Sequence, residues 1–261
     1  MWQYTVYKHS RNLLRQYYIF LQTVFEGFWL GVLNRDSLVT IDEKFYHGQN
    51  MYSSVEYNKK GLTTWETEMI NNYFQHCRDL ILIGAGGGRE VYALQKLGYR
   101  VAAFECNSKL QEFGNKFLAD EGLVPSISFG ERDICPPPGN GKYDGAILGW
   151  GSYMLMQGRA LRINYLRSLR DQLTDEAPLL LSFYTRSSDD WKLRNIPRIG
   201  NVFRLLLRRE YLEIGDRFEP TYVHYFSEAQ LAGELDEAGF SLSHYSSKSY
   251  GHAVAFIKNT E

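Results

Sequence analysis

The sequence is poor in cysteine and has no excess of charge of either sign. Its three cysteines, Cys77, Cys106 and Cys135, are odd in number and lack CxxC spacing, which argues against a disulfide framework and a structural zinc site. We therefore expect a reducing, cytoplasmic location. Lys and Arg number 29 against 30 Asp and Glu, a net charge of −1. The whole-molecule field attracts no polyanion, so no nucleic acid partner is expected.

The sequence also lacks an apolar run long enough to span a bilayer. Its longest weakly charged stretch, residues 17–33, includes Gln22 and Glu26. The stretch falls short of the roughly 20 apolar residues that a transmembrane helix needs. It also lacks the short apolar core and small-residue cleavage site of a signal peptide. We expect no stable membrane span and interpret this segment as a buried or interfacial helix.

What the sequence does contain suits a globular protein with a sizeable core. Hydrophobic residues make up 44% of the 261 residues and charged residues 23%. This length accommodates one large α/β domain, or a domain of about 150–200 residues with an accessory segment. Aromatic residues are concentrated in residues 17–33 and near residues 183–226, where they line a pocket or pack against the main domain. No set of His, Asp and Glu has metal-binding spacing, so no metal is expected.

Residues 1–75 are predicted to form a helical extension. Apolar and aromatic residues at three- and four-residue spacing predict a helix over residues 12–33. Asp36 is a candidate cap for a second helix that starts near Leu38. Thr63 and Glu66 have the spacing of a capping box and predict a third helix after Thr63.

From Asp79 onward, short apolar strands alternate with amphipathic helices, the pattern of a parallel sheet covered on both faces. The predicted strands are residues 80–83, 101–104, 127–129, 145–148, 179–183, 241–246 and 252–257. The predicted helices are residues 89–97, 108–121, 159–173 and 227–238. A short turn joins the last two strands, which must therefore be antiparallel. The predicted fold class is α/β, a doubly wound, mostly parallel seven-stranded sheet within residues 76–261 with an antiparallel last strand.

An insertion, residues 184–225, separates the fifth strand from the last helix. Its middle has no acidic residue and contains six basic ones, Lys192, Arg194, Arg198, Arg204, Arg208 and Arg209. One interpretation is a lid that attracts an anionic substrate or contacts a membrane surface. The other is a solvated helix face balanced by neighbours such as Asp189 and Glu210.

A glycine-rich loop follows the first predicted strand. Gly84, Gly86 and Gly88 form a GxGxG pattern, which allows the backbone to turn sharply and approach a ligand at the start of a helix. The dinucleotide fingerprint GxGxxG requires a third glycine where this chain has Arg89. Glu105 ends the next strand, 21 residues after Gly84. An acid at that place binds the hydroxyls of a ribose.

These features resemble class I S-adenosylmethionine (SAM)-dependent methyltransferases over residues 79–258. The N-terminal block resembles the extension of a less-characterised bacterial subgroup through FWLGVL, YNKKGLTTWE and the later VHYFS. The resemblance implies that the glycine loop faces the methionine part of SAM, that Glu105 binds the ribose and that Asp133 reaches the adenine amino group. The residues that it assigns to the cofactor are Gly84, Ala85, Gly86, Gly88, Arg89, Glu105, Cys106, Asp133, Ile134, Gly149 and Trp150.

One position departs from the family pattern. Many members have an acid two residues before the first glycine, where it helps to hold the methionine amino group, and this chain has Leu82. Arg89 and Glu90 are available substitutes on the first helical turn. Such a pair at a helix start also commonly forms a local ion pair on the surface.

The resemblance implies methyl transfer, in which the protein aligns the acceptor and, for a poor nucleophile, removes its proton. The first candidate for the base is His224, followed by His47 and Tyr153. The resemblance places Tyr153 at the substrate mouth. The residues expected to contact the substrate are Tyr57, Trp65 and Tyr222. The fourth strand is followed by LGWG rather than a DPPY-type motif, which disfavours nucleic-acid and glutamine-amide acceptors.

The leading hypothesis is therefore a SAM-dependent methyltransferase acting on an O or N atom of a small-molecule metabolite, which enters beneath the helical extension. An NAD(P)-dependent oxidoreductase is the second hypothesis. A SAM-binding regulatory protein without catalysis is the third. The sequence does not decide the oligomeric state, and a homodimer is one possibility.

Overall fold

The computed structural model describes residues 1–139, 141–187 and 190–258, so Asp189 lies outside the described residues. The helices are α1 (Trp2–Val32), α2 (Arg35–His47), α3 (Val55–Asn58), α4 (Thr64–Tyr73), α5 (Arg89–Lys96), α6 (Ser108–Asp120), α7 (Arg159–Arg170), α8 (Trp191–Leu206) and α9 (Glu228–Glu237). The strands are β1 (Asp79–Ile83), β2 (Arg100–Glu105), β3 (Ile127–Phe129), β4 (Gly145–Leu148), β5 (Pro178–Thr185), β6 (Asp216–Phe218), β7 (Tyr222–Phe226), β8 (Phe240–Ser246) and β9 (Gly251–Ile257).

The main sheet has the strand order β3-β2-β1-β4-β5-β9-β8. Neighbours among β1–β5 are parallel, whereas β9 is antiparallel to both β5 and β8. The predicted doubly wound sheet with a reversed last strand is confirmed. Its register aligns Ile83 with Phe104 on one side and with Leu148 on the other, so three strands end at one edge.

Apolar side chains fill a core on each face of the sheet. Successive residues of a strand point to opposite faces. Ile81 therefore packs with Leu166 of α7 and Leu231 of α9, whereas its neighbour Leu80 packs with residues of α4 and α5. Burial on both faces explains why β1 is apolar throughout its centre. Because Met69 of α4 lies in this core, α4 packs as part of the main domain, and a domain boundary at residue 75 remains a prediction.

The insertion contains α8 and a hairpin that the sequence pattern did not indicate. β7 lies parallel to the end of β5, with Tyr184 opposite Tyr225. β6 pairs antiparallel with β7. The hairpin therefore extends the sheet beyond the point where β9 leaves β5.

Helix α1 begins at Trp2, earlier than predicted, and packs along α8. Glycines allow the two backbones to approach closely, since a Cβ atom on Gly31 would lie 2.7 Å from the carbonyl oxygen of Gly200. None of the described helices is both long and apolar enough to cross a membrane.

Helix α2 also begins earlier than predicted. The side chain of Asn34 accepts a hydrogen bond from the backbone N–H of Ser37 at 2.9 Å and caps the helix. The prediction that Asp36 is the cap is wrong, because Asp36 already lies within the first turn.

Candidate functional site

A cleft opens at the carboxyl ends of β1, β2 and β4. It contains about 1110 Å³ of empty space, part of it open to solvent. The chain runs from β1 to β2 and β3 on one side, then crosses back to β4 on the other side of β1. This reversal of strand order is the switch point where open α/β sheets bind their ligands. The loops after these strands form its floor, and residues of α2, α3 and the segment between them form its outer wall.

The glycine loop forms one end of this cleft. Gly84, Gly86 and Gly88 have φ angles of +76°, +54° and +96°, a region that residues with a Cβ rarely adopt. Gly88 is the residue before α5 and serves the turn, whereas Gly84, Ala85 and Gly86 line the cleft. The first turn of α5 starts at this point, and the N–H groups of a first helical turn have no partner within the helix.

Gly87 has a different role, which the sequence did not reveal. A Cβ atom on Gly87 would lie 2.0 Å from the carbonyl oxygen of Tyr52. Only a glycine therefore permits the segment around Tyr52 to close over the loop. This contact ties the helical extension to the glycine loop.

Glu105 is buried at the end of β2 and lines the cleft. One carboxylate oxygen accepts a hydrogen bond from the Gly86 N–H at 2.7 Å. The other accepts one from the Asn107 N–H at 2.8 Å. The carboxylate thus fastens the glycine loop to the loop after β2 and also faces the cleft.

Two ion pairs attach α2 to the loop after β3. The Arg35 guanidinium lies 2.8 Å from the carboxylate of Asp133, which lines the cleft together with Ile134. Arg132 pairs with Asp42 in the same way. Burial raises the pKa of Asp42, while the charge of Arg132 opposes that shift. These pairs set the position of α2 beside this end of the cleft.

Arg89 and Glu90 form a buried cluster at the start of α5. The Arg89 guanidinium donates hydrogen bonds to both carboxylate oxygens of Glu66 and to Glu90, each at 2.7 Å. It also lies 5.0 Å from the centre of the Trp150 ring. The alternative of a surface ion pair is therefore wrong, because both side chains are buried and line the cleft.

The buried environment of Glu90 raises the pKa of its carboxyl. Burial raises the pKa of its carboxyl to about 7; the adjacent Arg89 opposes the shift, and the negative charge of Glu66 adds to it. A Cβ atom on Gly149 would lie 3.7 Å from its carboxylate oxygen, so Glu90 stands against the loop after β4. The carboxyl therefore titrates near neutral pH.

Aromatic side chains form much of the outer wall. The rings of Tyr46 and Tyr52 are 5.7 Å apart, as are those of Tyr52 and Tyr57. Burial raises the pKa of the Tyr52 and Tyr57 hydroxyls, so both are neutral donors at physiological pH. Trp150 stacks on Tyr250 with their ring centres 4.8 Å apart. These rings give the cleft an apolar, partly enclosed mouth.

The structure brings together most of the residues predicted to bind the cofactor. The predicted residues that line the cleft are Gly84, Ala85, Gly86, Arg89, Glu105, Cys106, Asp133, Ile134, Gly149 and Trp150. Tyr57, one of the predicted substrate contacts, lines it as well. Burial raises the pKa of the Cys106 thiol to about 12, so this cysteine is not a thiolate there.

Neither of the residues predicted to be catalytic lies in the cleft. Tyr153 is completely buried in the core that includes residues of α7 and α9, where its hydroxyl donates to Glu234 at 2.6 Å. His224 is completely buried as well: its Nδ1 lies 2.6 Å from Asp216 and its Nε2 lies 2.8 Å from the amide nitrogen of Gln230. With both ring nitrogens engaged away from the cleft, His224 has no access to an acceptor there.

Three other residues that were predicted to lie at the site have structural partners elsewhere. The Tyr222 hydroxyl donates to Asp216 at 2.7 Å, and Trp65 stacks on His252 with ring centres 4.7 Å apart. His47 is exposed at the end of α2, where its Nδ1 lies 2.8 Å from the carbonyl oxygen of Glu43. None of these three side chains lines the cleft.

Asn58 is a cleft residue that sequence reasoning missed. Its side-chain nitrogen donates to the carbonyl oxygens of Tyr52 and Ser54, at 2.9 and 2.8 Å. Its Oδ1 is buried beside Gly87 and has no hydrogen-bond partner among the described residues. A buried acceptor of this kind is costly unless a ligand or water satisfies it. Nothing in a single sequence distinguishes this asparagine from a surface one.

No family model matches the sequence, and no curated protein matches it. Solved structures do. A SAM-dependent methyltransferase from Methanosarcina mazei is similar with a TM-score of 0.59 and 16% identity, over 77% of this chain and 100% of that one. The 1,6-didemethyltoxoflavin-N1-methyltransferase of Burkholderia thailandensis, bound to 1,6-didemethyltoxoflavin and S-adenosylhomocysteine, is similar with a TM-score of 0.59 and 13% identity, over 87% and 92%. The chain has the fold of SAM-dependent methyltransferases.

A third neighbour supports this assignment of the methyltransferase fold. A SAM-bound amino pentose methyltransferase from Micromonospora echinaspora is similar with a TM-score of 0.53 and 10% identity, over 84% of this chain and 97% of that one. Within the part of the chain that the structure describes, no group of His, Cys, Asp and Glu is arranged to hold a metal ion.

Proposed function

We propose that this protein is an enzyme that transfers a methyl group from SAM to an oxygen or nitrogen atom of a small-molecule metabolite. The observation that carries the proposal is the cleft at the switch point of a methyltransferase fold, where Glu105 and the glycine loop face an aromatic wall. The three free cysteines, Cys77, Cys106 and Cys135, support a reducing, cytoplasmic location.

The polar groups along the cleft suit the successive parts of SAM. Glu105 would bind the ribose hydroxyls, with Asp133 and Ile134 beside the adenine. The carboxylate of Glu90 and the unpartnered Oδ1 of Asn58 are acceptors for the methionine ammonium group. Glu90 would thus replace the acid that is absent at Leu82. SAM supplies the activated methyl group, carried on a sulfonium.

Besides binding SAM, a methyltransferase must align the acceptor and exclude water from the transfer site, and the aromatic wall suits both tasks. Tyr46, Tyr52 and Tyr57 are amphipathic rings that bury an apolar acceptor and donate hydrogen bonds to it. Among the described residues that line the cleft there is no histidine. We therefore favour an acceptor that needs little help in losing its proton, such as an amine or an acidic hydroxyl.

The cluster at the start of α5 disfavours a dinucleotide cofactor. A pyrophosphate would bind the first turn of that helix. Glu66 and Glu90 place two carboxyl groups there, and Arg89 is already committed to both. A dianionic group would be repelled at this position, whereas a methionine ammonium group would be attracted.

Ligand-induced stabilisation tests this proposal. SAM or its demethylated product at about 100 times its Kd should raise the free energy of unfolding by about 2.7 kcal/mol, while NAD should change nothing. Calorimetry should show SAM affinity reduced about 100-fold by Glu105→Ala, because a charged bidentate contact is lost. Glu112→Ala, an exposed acid on α6, is the matched control.

The outcomes separate the hypotheses. Stabilisation by NAD alone would indicate an oxidoreductase and overturn the proposal. SAM binding without turnover on amine and hydroxyl acceptors would indicate a regulatory protein. Glu105→Ala is also expected to lower stability by about 1–3 kcal/mol, because the Gly86 and Asn107 N–H groups lose their acceptor. Affinity must therefore be measured below the unfolding transition of the variant.

A further inference from the structure

Helix α1 carries an exposed apolar face that the proposed methyl transfer does not explain. Six large side chains recur along it at three-, four- or seven-residue intervals and are all exposed to solvent: Tyr7, Leu14, Tyr17, Leu21, Phe25 and Phe28. This periodicity puts them on one side of the helix. The buried residues of the helix all lie toward its C-terminal end, where it packs on the rest of the protein: Thr23, Glu26, Gly27, Leu30 and Gly31.

The exposed face continues onto α8. Phe28 packs edge to face on Phe203, with ring centres 5.2 Å apart. Near this contact α8 exposes Val202, Leu205 and Leu206, the last with 75% of its surface accessible. The two helices therefore present one apolar surface, which we call the α1–α8 face. Monomeric proteins rarely expose so extended an apolar patch unless it binds something.

Positive charge borders this surface. Lys8, Arg11 and Arg15 are spaced three and four residues apart, and the Arg11 guanidinium lies 6.0 Å from the centre of the Tyr7 ring. Residues 1–25 contain no acidic residue. Arg194 and Arg198 lie on α8, which has no acidic residue either. Within the described residues none of these five cations forms an ion pair with a carboxylate.

We propose that the α1–α8 face docks onto a bilayer surface rich in anionic lipids, with α1 lying in the plane of the membrane. The distribution of charge favours a membrane as the partner. The border of the face is cationic and free of acidic residues although the whole chain has a net charge of −1, so this border is complementary to anionic headgroups. Tyr and Trp side chains, such as Tyr17 and Trp191, suit the interface between headgroups and acyl chains. A second copy of the chain would bring like charges together.

Vesicle flotation with the full chain tests this proposal. The protein should bind vesicles of equimolar phosphatidylcholine and phosphatidylglycerol, should bind phosphatidylcholine alone far more weakly, and should be released by salt. The triple variant Lys8→Gln, Arg11→Gln, Arg15→Gln should reduce binding about 100-fold. The triple variant Lys60→Gln, Lys116→Gln, Lys142→Gln removes the same charge from exposed positions elsewhere and should bind as the unmodified chain does.

A second variant tests the apolar component. Leu14→Gln, Tyr17→Gln and Leu21→Gln together should also abolish flotation, while circular dichroism and SAM binding remain unchanged because these side chains touch neither the core nor the cleft. Equal binding to neutral and anionic vesicles, or no binding to either, would overturn the proposal. So would a dimer in sedimentation velocity that dissociates in this apolar variant but not in the charge variant.

Discussion

Glu90 illustrates how a single side chain links burial to ligand binding. Its pKa is raised to about 7 by burial, against the opposing charge of Arg89. Below that pH the carboxyl is protonated and does not attract an ammonium group. We predict that SAM affinity rises as the pH increases through 7 and then levels off. Isothermal titration calorimetry across this range measures the effect, and Glu90→Gln should flatten the profile.

The raised pKa of Glu90 also makes the stability of the unliganded protein depend on pH, in the direction opposite to that of SAM affinity. The folded state retains a proton on Glu90 between about pH 4.5, where the unfolded chain releases it, and pH 7. The free energy of unfolding should therefore fall as pH rises through this window, and Glu90→Gln should remove that part of the dependence. An unchanged affinity profile in Glu90→Gln would show that another group binds the ammonium.

At the residue scale, the sequence predicted the parts of the site that are local. The turns at Gly84 and Gly86 require a positive φ, and Glu105 must end a strand, so both are visible in the sequence. The sequence does not show whether a side chain on a strand far away in the chain points into the cleft. His224 and Tyr153 point away from the cleft because of how β7 and the turn after β4 pack, which depends on the whole fold.

At the element scale, the predicted strands and helices of the main sheet agree with the structure to within a few residues, because a buried strand is apolar throughout and its flanking helices are amphipathic. The hairpin β6–β7 was missed. Its strands are only three and five residues long, and two of the three residues of β6, Asp216 and Arg217, are charged. Their pairing depends on the free end of β5, which sequence alone does not show.

The contact between α1 and α8 gives a prediction about elements. We expect Gly31→Ala to destabilise the protein by about 1–3 kcal/mol, because the new methyl group would lie 2.7 Å from the Gly200 carbonyl and 2.8 Å from Phe203. Chemical denaturation measures the loss. The control is Gly233→Ala in α9, where a Cβ atom would meet no atom of the described residues within 4 Å. There alanine should stabilise the helix by about 0.5–1 kcal/mol; equal effects at both positions would contradict this account of the helix contact.

At the scale of the whole molecule, a buried network joins elements that are far apart in the chain. Arg162 of α7 donates to both carboxylate oxygens of Glu234 in α9, at 2.7 and 2.9 Å. The Tyr153 hydroxyl donates to the same carboxylate, and Glu213, before the hairpin, also accepts from Arg162. The network therefore connects α7, α9 and the turn after β4 to the insertion.

We predict that Glu234→Ala lowers the free energy of unfolding by about 3–5 kcal/mol, because it leaves the completely buried guanidinium of Arg162 without its main partner. Glu237→Ala on the same helix is the control: its pair with Arg159 is exposed, so the loss should stay below about 1 kcal/mol. Denaturation followed by both tryptophan fluorescence and circular dichroism measures both variants. Because the network joins helices of the main domain to the insertion, the two signals should shift together in Glu234→Ala. If fluorescence and circular dichroism separated into two transitions, the insertion would be unfolding independently and the network would not unite the molecule.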